Sequence, residues 1–377
     1  MEYRVCSRCV MDTSDAAISF DDKGICDNCT RFYSDVGKIW SNDYQNASKF
    51  KDLVTTIKKK GEGKKYDSLI GLSGGLDSSY LLHVAVTEFG LRPLVFHVDG
   101  GWNTDLAVEN VQNLVEKLDL ELMTEVVNWK EMRDLQLAFF KSGVPNIDLP
   151  QDLAFISALY NFAEDNDIKY ILNGGNFATE GIRNPRNWGW YGTDLSHVHD
   201  IHKKFGTIPL KSFPISGILN HKLYLRYIKG VKVVKPLDYI PYTKEIAQET
   251  LSKEYGWRPY PQKHFESRFT KFFEGYWFPE RYGFDTRRVQ FSSLIVTDQM
   301  TREDAIEKLK HPAIDASTVK QDKEYIASKL RISVEELDSF MDLPKKTYKD
   351  YKNQEWMFKI GSKVLQLIGA EKNAKRE

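Results

Sequence analysis

The chain has 377 residues, enough for two or three domains with a buried core. Lysine plus arginine and aspartate plus glutamate both total 53, so no whole-molecule field is expected to gather nucleic acid or an anionic membrane. The opening M-E-Y-R-V-C-S-R-C carries no apolar targeting core, and no stretch approaches the ~20 apolar residues of a spanning helix, so a cytoplasmic protein without a membrane span is expected.

In chain order, all four cysteines come first: Cys6, Cys9, Cys26 and Cys29. Two C-x-x-C pairs at this spacing bring four thiolates to one tetrahedral zinc ion, with an iron–sulfur cluster as the alternative occupant. A closed four-sulfur site leaves no position for substrate, so structural zinc is expected. Residues 1–35 therefore read as a separate zinc-ribbon module, and 36–65 as a lysine-rich helical linker ending in K-K-K-G-E-G-K-K.

From residue 66 strand and helix signals alternate. S-L-I-G-L (68–72), P-L-V-F-H-V (93–98), 121–127, 170–172 and 231–234 read as strands, and 77–89, 104–118, 152–164 and 244–255 as helices. This predicts an α/β domain over 66–256, a parallel sheet with helices on both faces and ligands at the carboxyl ends of its strands. Residues 257–377 open dense in aromatics and arginines, then turn mainly helical and complete the substrate site. There, Ser333 to Glu336 form a capping box, and 356–368 an amphipathic helix that packs on its own domain.

S-G-G-L-D-S (73–78) follows a buried strand and opens a helix, where backbone amides and the helix dipole favour an anion. It lacks the lysine of a Walker loop, G-x-x-x-x-G-K-[ST], and does not match G-x-G-x-x-G. The segment resembles the PP-loop of the ATP pyrophosphatases, a group of Rossmann-like fold that includes NAD synthetase, GMP synthetase, asparagine synthetase and tRNA thiolases. The resemblance implies that Ser73, Gly74, Gly75, Asp77 and Ser78 hold pyrophosphate and that ATP is cut between its α- and β-phosphates, with Asp77 as the Mg2+ partner. It further implies that Val98 and Asp99 in F-H-V-D-G-G-W-N meet adenosine. Asn173, Gly174 and Gly175 in I-L-N-G-G-N sit beside the nucleotide, and Lys235 in V-K-P-L, with Lys244, brings positive charge to the phosphates.

A second resemblance is wider. C-S-R-C-V-M-D-T-S-D, I-S-F-D-D-K-G-I-C-D-N-C, D-L-A-F-I-S-A-L-Y, N-G-G-N-F-A-T-E-G, I-H-K-K-F-G and H-F-E-S-R-F-T are similar to the bacterial N-acetyl sugar amidotransferases (the WbpG type) of O-antigen and related lipopolysaccharide biosynthesis, over residues 6 to 310 at least. This implies an ATP-dependent ligase that turns an N-acetyl group of a nucleotide-linked diacetamido sugar into an acetamidino group by O-adenylation and ammonia attack. The other readings are a tRNA thiolase and a non-enzymatic nucleotide-binding module. With every cysteine committed to metal, no glutaminase nucleophile remains, and ammonia is expected from a partner glutaminase and synthase pair.

Glu180, Arg183, Trp188 and Trp190 mix rings with polar groups as a sugar site does. Arg268 and Arg287 have the chemistry to hold a substrate diphosphate or the leaving pyrophosphate. His264 or Glu266 would take a proton from incoming ammonia, and an extended H-F-E-S-R would put His264, Glu266 and Arg268 on one face. His197, His199 and His202 have metal-like spacing without an evident acidic partner set, and non-metal roles are expected for them.

Overall fold

The computed structural model describes residues 2–43 and 47–367. Its centre is a five-stranded sheet of β1 (Ser68–Gly71), β2 (Pro93–Asp99), β3 (Leu122–Val126), β4 (Tyr170–Leu172) and β5 (Lys232–Val234), in the order β3-β2-β1-β4-β5. Every neighbouring pair is parallel, with Leu69 opposite both Leu94 and Ile171. The apolar runs of β1 and β4 are buried as central strands should be, whereas β3 at the sheet edge leaves Met123 and Val126 exposed. Chain order reverses between β1 and β4. The crevice at their carboxyl ends is where such sheets bind ligands.

The Leu76–Thr87, Asp105–Lys117, Leu149–Asp165 and Lys244–Tyr255 helices lie close to their expected places. Trp129–Ser142 and Leu195–Phe205 are helices as well. Asn128 caps the first of these through the Lys130 amide, and Gly143 ends it at φ 72°. The aromatic stretch after residue 257 resolves into short helices, Arg268–Phe272, Phe278–Tyr282 and Arg287–Val296, that bury Phe269, Phe272, Trp277 and Phe278. Of the capping box, Ser333 Oγ accepts from the Glu336 amide at 3.1 Å and opens Val334–Ser339. The last helix, Glu355–Leu367, places Phe358 on the Tyr191 ring and leaves Trp356 exposed. Ile368, the end of that expected stretch, lies outside the described residues.

The cysteine segment does not stand apart. Its four cysteines belong to the same buried cluster as Phe32, Phe177, Trp257 and Phe269. Arg302 Nη2 donates to the Cys6 carbonyl at 2.9 Å, Arg288 Nη1 to the Val10 carbonyl at 2.8 Å, and the Val10 amide to Ser292 Oγ at 3.2 Å. Chain start and C-terminal helices are thus packed on each other.

Candidate active site

The loop after β1 depends on two close approaches. Gly74 has φ +83°, and a Cβ there would lie 2.8 Å from the Ala107 carbonyl oxygen. A Cβ on Gly75 would come 2.7 Å from Glu266 Oε1. Trp257 Nε1 and the Tyr260 hydroxyl donate to the Gly74 carbonyl at 3.0 and 3.2 Å, fixing the turn from the far side. Gly75 is the N-cap of the Leu76–Thr87 helix and supplies no side-chain cap, so the first-turn amides are left for a ligand. Across the crevice Gly174 packs on the Asp77–Ser78 peptide, where a Cβ would meet backbone at 3.0 Å.

Asp77 is the charged centre of this loop. Its Oδ1 accepts from Asn176 Nδ2 at 3.1 Å and from the Tyr242 hydroxyl, and its Oδ2 pairs with Lys263 Nζ at 2.8 Å. The same ammonium reaches Glu180 Oε1 at 2.7 Å. Burial pushes the Asp77 carboxyl up, but the Lys263 charge and these hydrogen bonds outweigh it and hold the group below the usual carboxylate range. Two carboxylates therefore converge on one cation beside the loop, the donor set that suits a divalent ion arriving with ATP phosphates. Lys263 places an ammonium beside a loop that has no lysine of its own.

Ser73, Gly75, Asp77, Ser78, Asn173, Gly174, Gly175 and Lys244 line a pocket of about 280 Å3. Lys235 stands next to it, its Nζ 3.3 Å from where a Gly175 Cβ would be. The pocket shares Ser73, Glu180, Lys263, His264 and Glu266 with a cavity of about 940 Å3. The larger cavity begins at Val98, His97 and Asn103. Asp99 is not on its wall; it accepts from the Gly101 amide at 2.7 Å and shapes the turn behind.

The larger cavity is also lined by Asp148, Asp152, Glu266 and Glu274, which lie around His264. The residues 261–267 form turns, with His264 at φ +67°, so H-F-E-S-R is not extended here. His264 and Glu266 enter the cavity; Arg268 does not. Burial pushes Glu266 up, and burial together with Asp152 pushes Asp148 well up. Asp152 opens onto the cavity but is sunk among protein groups, and burial raises it to about 6. Burial disfavours a charged His264, but Glu274 Oε1 at 3.0 Å from Nδ1 reverses that and raises it to about 9. His264 is thus an imidazolium at neutral pH, and Glu266 is the better-placed proton acceptor. A group raised in this way stabilises the fold fully below its ordinary value of 6.5 and ceases to do so as pH rises through about 9. The difference in melting temperature between the wild type and His264→Gln should accordingly be largest below pH 6.5 and vanish above about 9, read by calorimetry across pH.

Besides Glu180, which the two spaces share, the cavity is lined by Arg183, Trp188 and Trp190 together with Asn28 and Arg31 of the cysteine segment. The 181–194 loop is held from both sides. Asn187 Nδ2 and Trp188 Nε1 donate to the Ser14 carbonyl at 2.9 and 3.2 Å. Trp190 stacks on Tyr348 with centroids 3.6 Å apart. Arg268 and Arg287 are not brought to either cavity: Arg268 Nε pairs with Asp322 Oδ1 at 2.8 Å, and the buried Arg287 pairs with Asp285 Oδ2 at 2.7 Å. His197 is buried, and His202 Nε2 donates to the Ile208 carbonyl at 2.9 Å.

Among the described residues the metal-ligating group that stands out is the cysteine set. The ligand atoms of Cys6, Cys9, Cys26 and Cys29 lie within 4.8 Å of one another, all four residues fully buried. The Cys9 and Cys26 sulfurs are 3.7 Å apart, which matches two thiolates about 2.3 Å from one tetrahedral ion. The Cys26 amide points at the Cys6 sulfur at 3.2 Å, as expected for a thiolate.

The parallel sheet with its S-G-G-L-D-S loop after β1, the amino-terminal cysteine cluster and the helical carboxyl-terminal region give the chain the PP-loop fold class expected from the sequence. Residues 266–365 match the family model described as LPS biosynthesis protein WbpG-like, C-terminal domain; 266–310 fall within the resemblance read from the sequence, and 311–365 lie beyond the stretch over which it was read. An uncharacterized protein of Methanocaldococcus jannaschii is 29% identical over 31% of this chain and 41% of its own length. The glutamine-hydrolyzing GMP synthase of Chlamydia caviae is 27% identical over 43% of this chain and 30% of its own. The chain therefore spans less than half the length of these curated relatives. Among solved structures, the NH3-dependent NAD synthetase of Campylobacter jejuni superposes at a TM-score of 0.29 and 13% identity, covering 81% of this chain and 98% of that one.

Proposed function

We propose that the protein is an ATP-dependent amidotransferase that converts an N-acetyl group of a nucleotide-linked sugar into an acetamidino group in surface-polysaccharide biosynthesis. The observation that carries this reading is the junction of two spaces. A phosphate pocket built on uncapped helix amides and the Asp77–Lys263 pair opens directly into a carboxylate-lined cavity of about 940 Å3. ATP in this reading sets its β- and γ-phosphates on the 74–78 amides, with adenosine toward Val98. The acetamido oxygen attacks the α-phosphorus, the bond to the bridging oxygen breaks, and pyrophosphate departs. Ammonia then adds to the O-adenylated carbon, Glu266 takes a proton, and AMP leaves with the former amide oxygen.

Mg2+ would supply charge neutralisation at the phosphates. Asp77 and Glu180 are the groups that would hold it, and Lys263, which bridges them at 2.8 and 2.7 Å, is the side chain that would turn to the leaving pyrophosphate. Zinc at the four cysteines is the reading their close spacing favours. Four thiolates on one ion stand closer together than four that each bind a different iron of a cluster. The chain has no cysteine besides these four, so a glutaminase partner is the proposed source of ammonia.

The purified chain should release AMP and pyrophosphate only with an acetamido sugar and ammonia present, without tRNA, and the product should weigh about one mass unit less than the substrate, since NH replaces O. Release of ADP and phosphate, or a requirement for tRNA, would overturn the assignment.

A further inference from the structure

The cysteine segment does more than pack. Asn28 lies within the second cysteine pair and Arg31 two residues after it, on the short Asp27–Arg31 helix, and both line the large cavity, as do Arg183 and Arg186. Arg31 Nη2 donates to Asn28 Oδ1 at 2.8 Å, and Asn28 is itself 5% exposed, so the guanidinium is held by a fixed neutral group. Asp15, which is buried, and Asp27 line the cavity beside it. Next to this wall the Ala16 amide donates to Asn187 Oδ1 at 3.2 Å, while Asn187 and Trp188 return hydrogen bonds to the Ser14 carbonyl. One end of the cavity is therefore assembled from metal-bound segment and loop together, and guanidiniums come from both.

We propose that the cysteine module is one wall of the acceptor site, and that Arg31 is a specificity-determining residue that binds the anionic diphosphate of a nucleotide-linked sugar, with Arg183 and Arg186 facing it. This rests on the sugar amidotransferase reading and adds a role for the metal segment. In this reading two sets of groups take anions. The PP-loop takes the phosphates of ATP; the module takes those of the acceptor. Planar guanidiniums suit phosphate oxygens in pairs, which a single ammonium does not reproduce.

The test is calorimetric titration of UDP-N-acetylglucosamine into the zinc-loaded full chain saturated with α,β-methylene-ATP. Arg31→Ala should weaken binding of the nucleotide sugar by about tenfold or more and Arg31→Lys by less, with affinity for the ATP analogue unchanged. Asn187→Ala, which loosens the loop but keeps Arg31, should also weaken the nucleotide sugar while zinc content stays constant. Unaltered nucleotide-sugar affinity in Arg31→Ala, or an equal loss for the ATP analogue, would overturn this inference alone. Failure of the wild type to bind the nucleotide sugar at all would overturn the amidotransferase reading and this inference with it.

Discussion

Asp77→Asn should reduce formation of AMP and pyrophosphate by roughly a thousandfold while leaving the metal content of the protein unchanged. The substitution keeps the size of the side chain and its ability to meet Asn176 and Tyr242, but removes the charge that pairs with Lys263 at 2.8 Å. Lys263 retains Glu180 at 2.7 Å, so the ammonium is not abandoned, and a moderate loss of stability is expected instead of unfolding. The wild-type carboxyl is held below the usual range by Lys263 against the effect of burial, so its contribution to stability is present above the ordinary carboxylate value and lost as pH falls through the lowered one. Asp77→Asn should therefore flatten the acid limb of the stability curve. A pyrophosphate-release assay, zinc analysis and acid melts check the three parts. Retention of a tenth of the activity would remove Asp77 from the phosphate machinery, and loss of zinc would show that loop and cysteine cluster are more tightly coupled than their contacts indicate.

What the sequence revealed and what it hid divide along one physical line. The loop S-G-G-L-D-S, the four cysteines and the buried strands are local patterns in which the residue types and their spacing carry the chemistry. Lys263 is not such a pattern. It sits 186 positions from Asp77, and only the fold brings it there. The same holds for Glu274, which turns His264 from an expected base into an imidazolium. Arg268 and Arg287 have the guanidinium chemistry of anion ligands, yet one has its carboxylate partner in Asp322 and the other pairs with Asp285 and donates to the Lys308 and His311 carbonyls. The alternation in H-F-E-S-R broke at a positive φ on a non-glycine residue, a conformation that sequence does not announce. By contrast, the Trp129–Ser142 helix carried readable signals at both ends, Asn128 and Gly143.

Cys26→Ser should cost the protein its metal and, with it, order well beyond the first 35 residues. A structural zinc site in small domains is worth on the order of 10 kcal/mol, comparable with the whole stability of a domain. A metal at the four cysteines would hold a segment on which other elements lean. The Cys6 and Cys9 carbonyls accept from Arg302, Val10 is bonded through both its amide and its carbonyl to the Arg287–Val296 helix, and Arg288 pairs with Asp12 at 2.9 Å. From that helix Ser293 Oγ accepts the Ile182 amide at 3.0 Å, at the start of the loop that lines the large cavity. Loss of the metal should therefore raise hydrogen exchange in Arg287–Val296 and in 181–194, while β1 and the Leu76–Thr87 helix, which rest on the sheet, keep their protection. The wild type should contain one zinc per chain and no visible absorption; iron with a brown chromophore would overturn the zinc assignment. Exchange confined to the cysteine segment would mean that the contacts through Val10 and Ser292 do not transmit its order, and that the 181–194 loop is held by the Trp190–Tyr348 and Trp188–Phe284 stacks and the Ser293–Ile182 hydrogen bond.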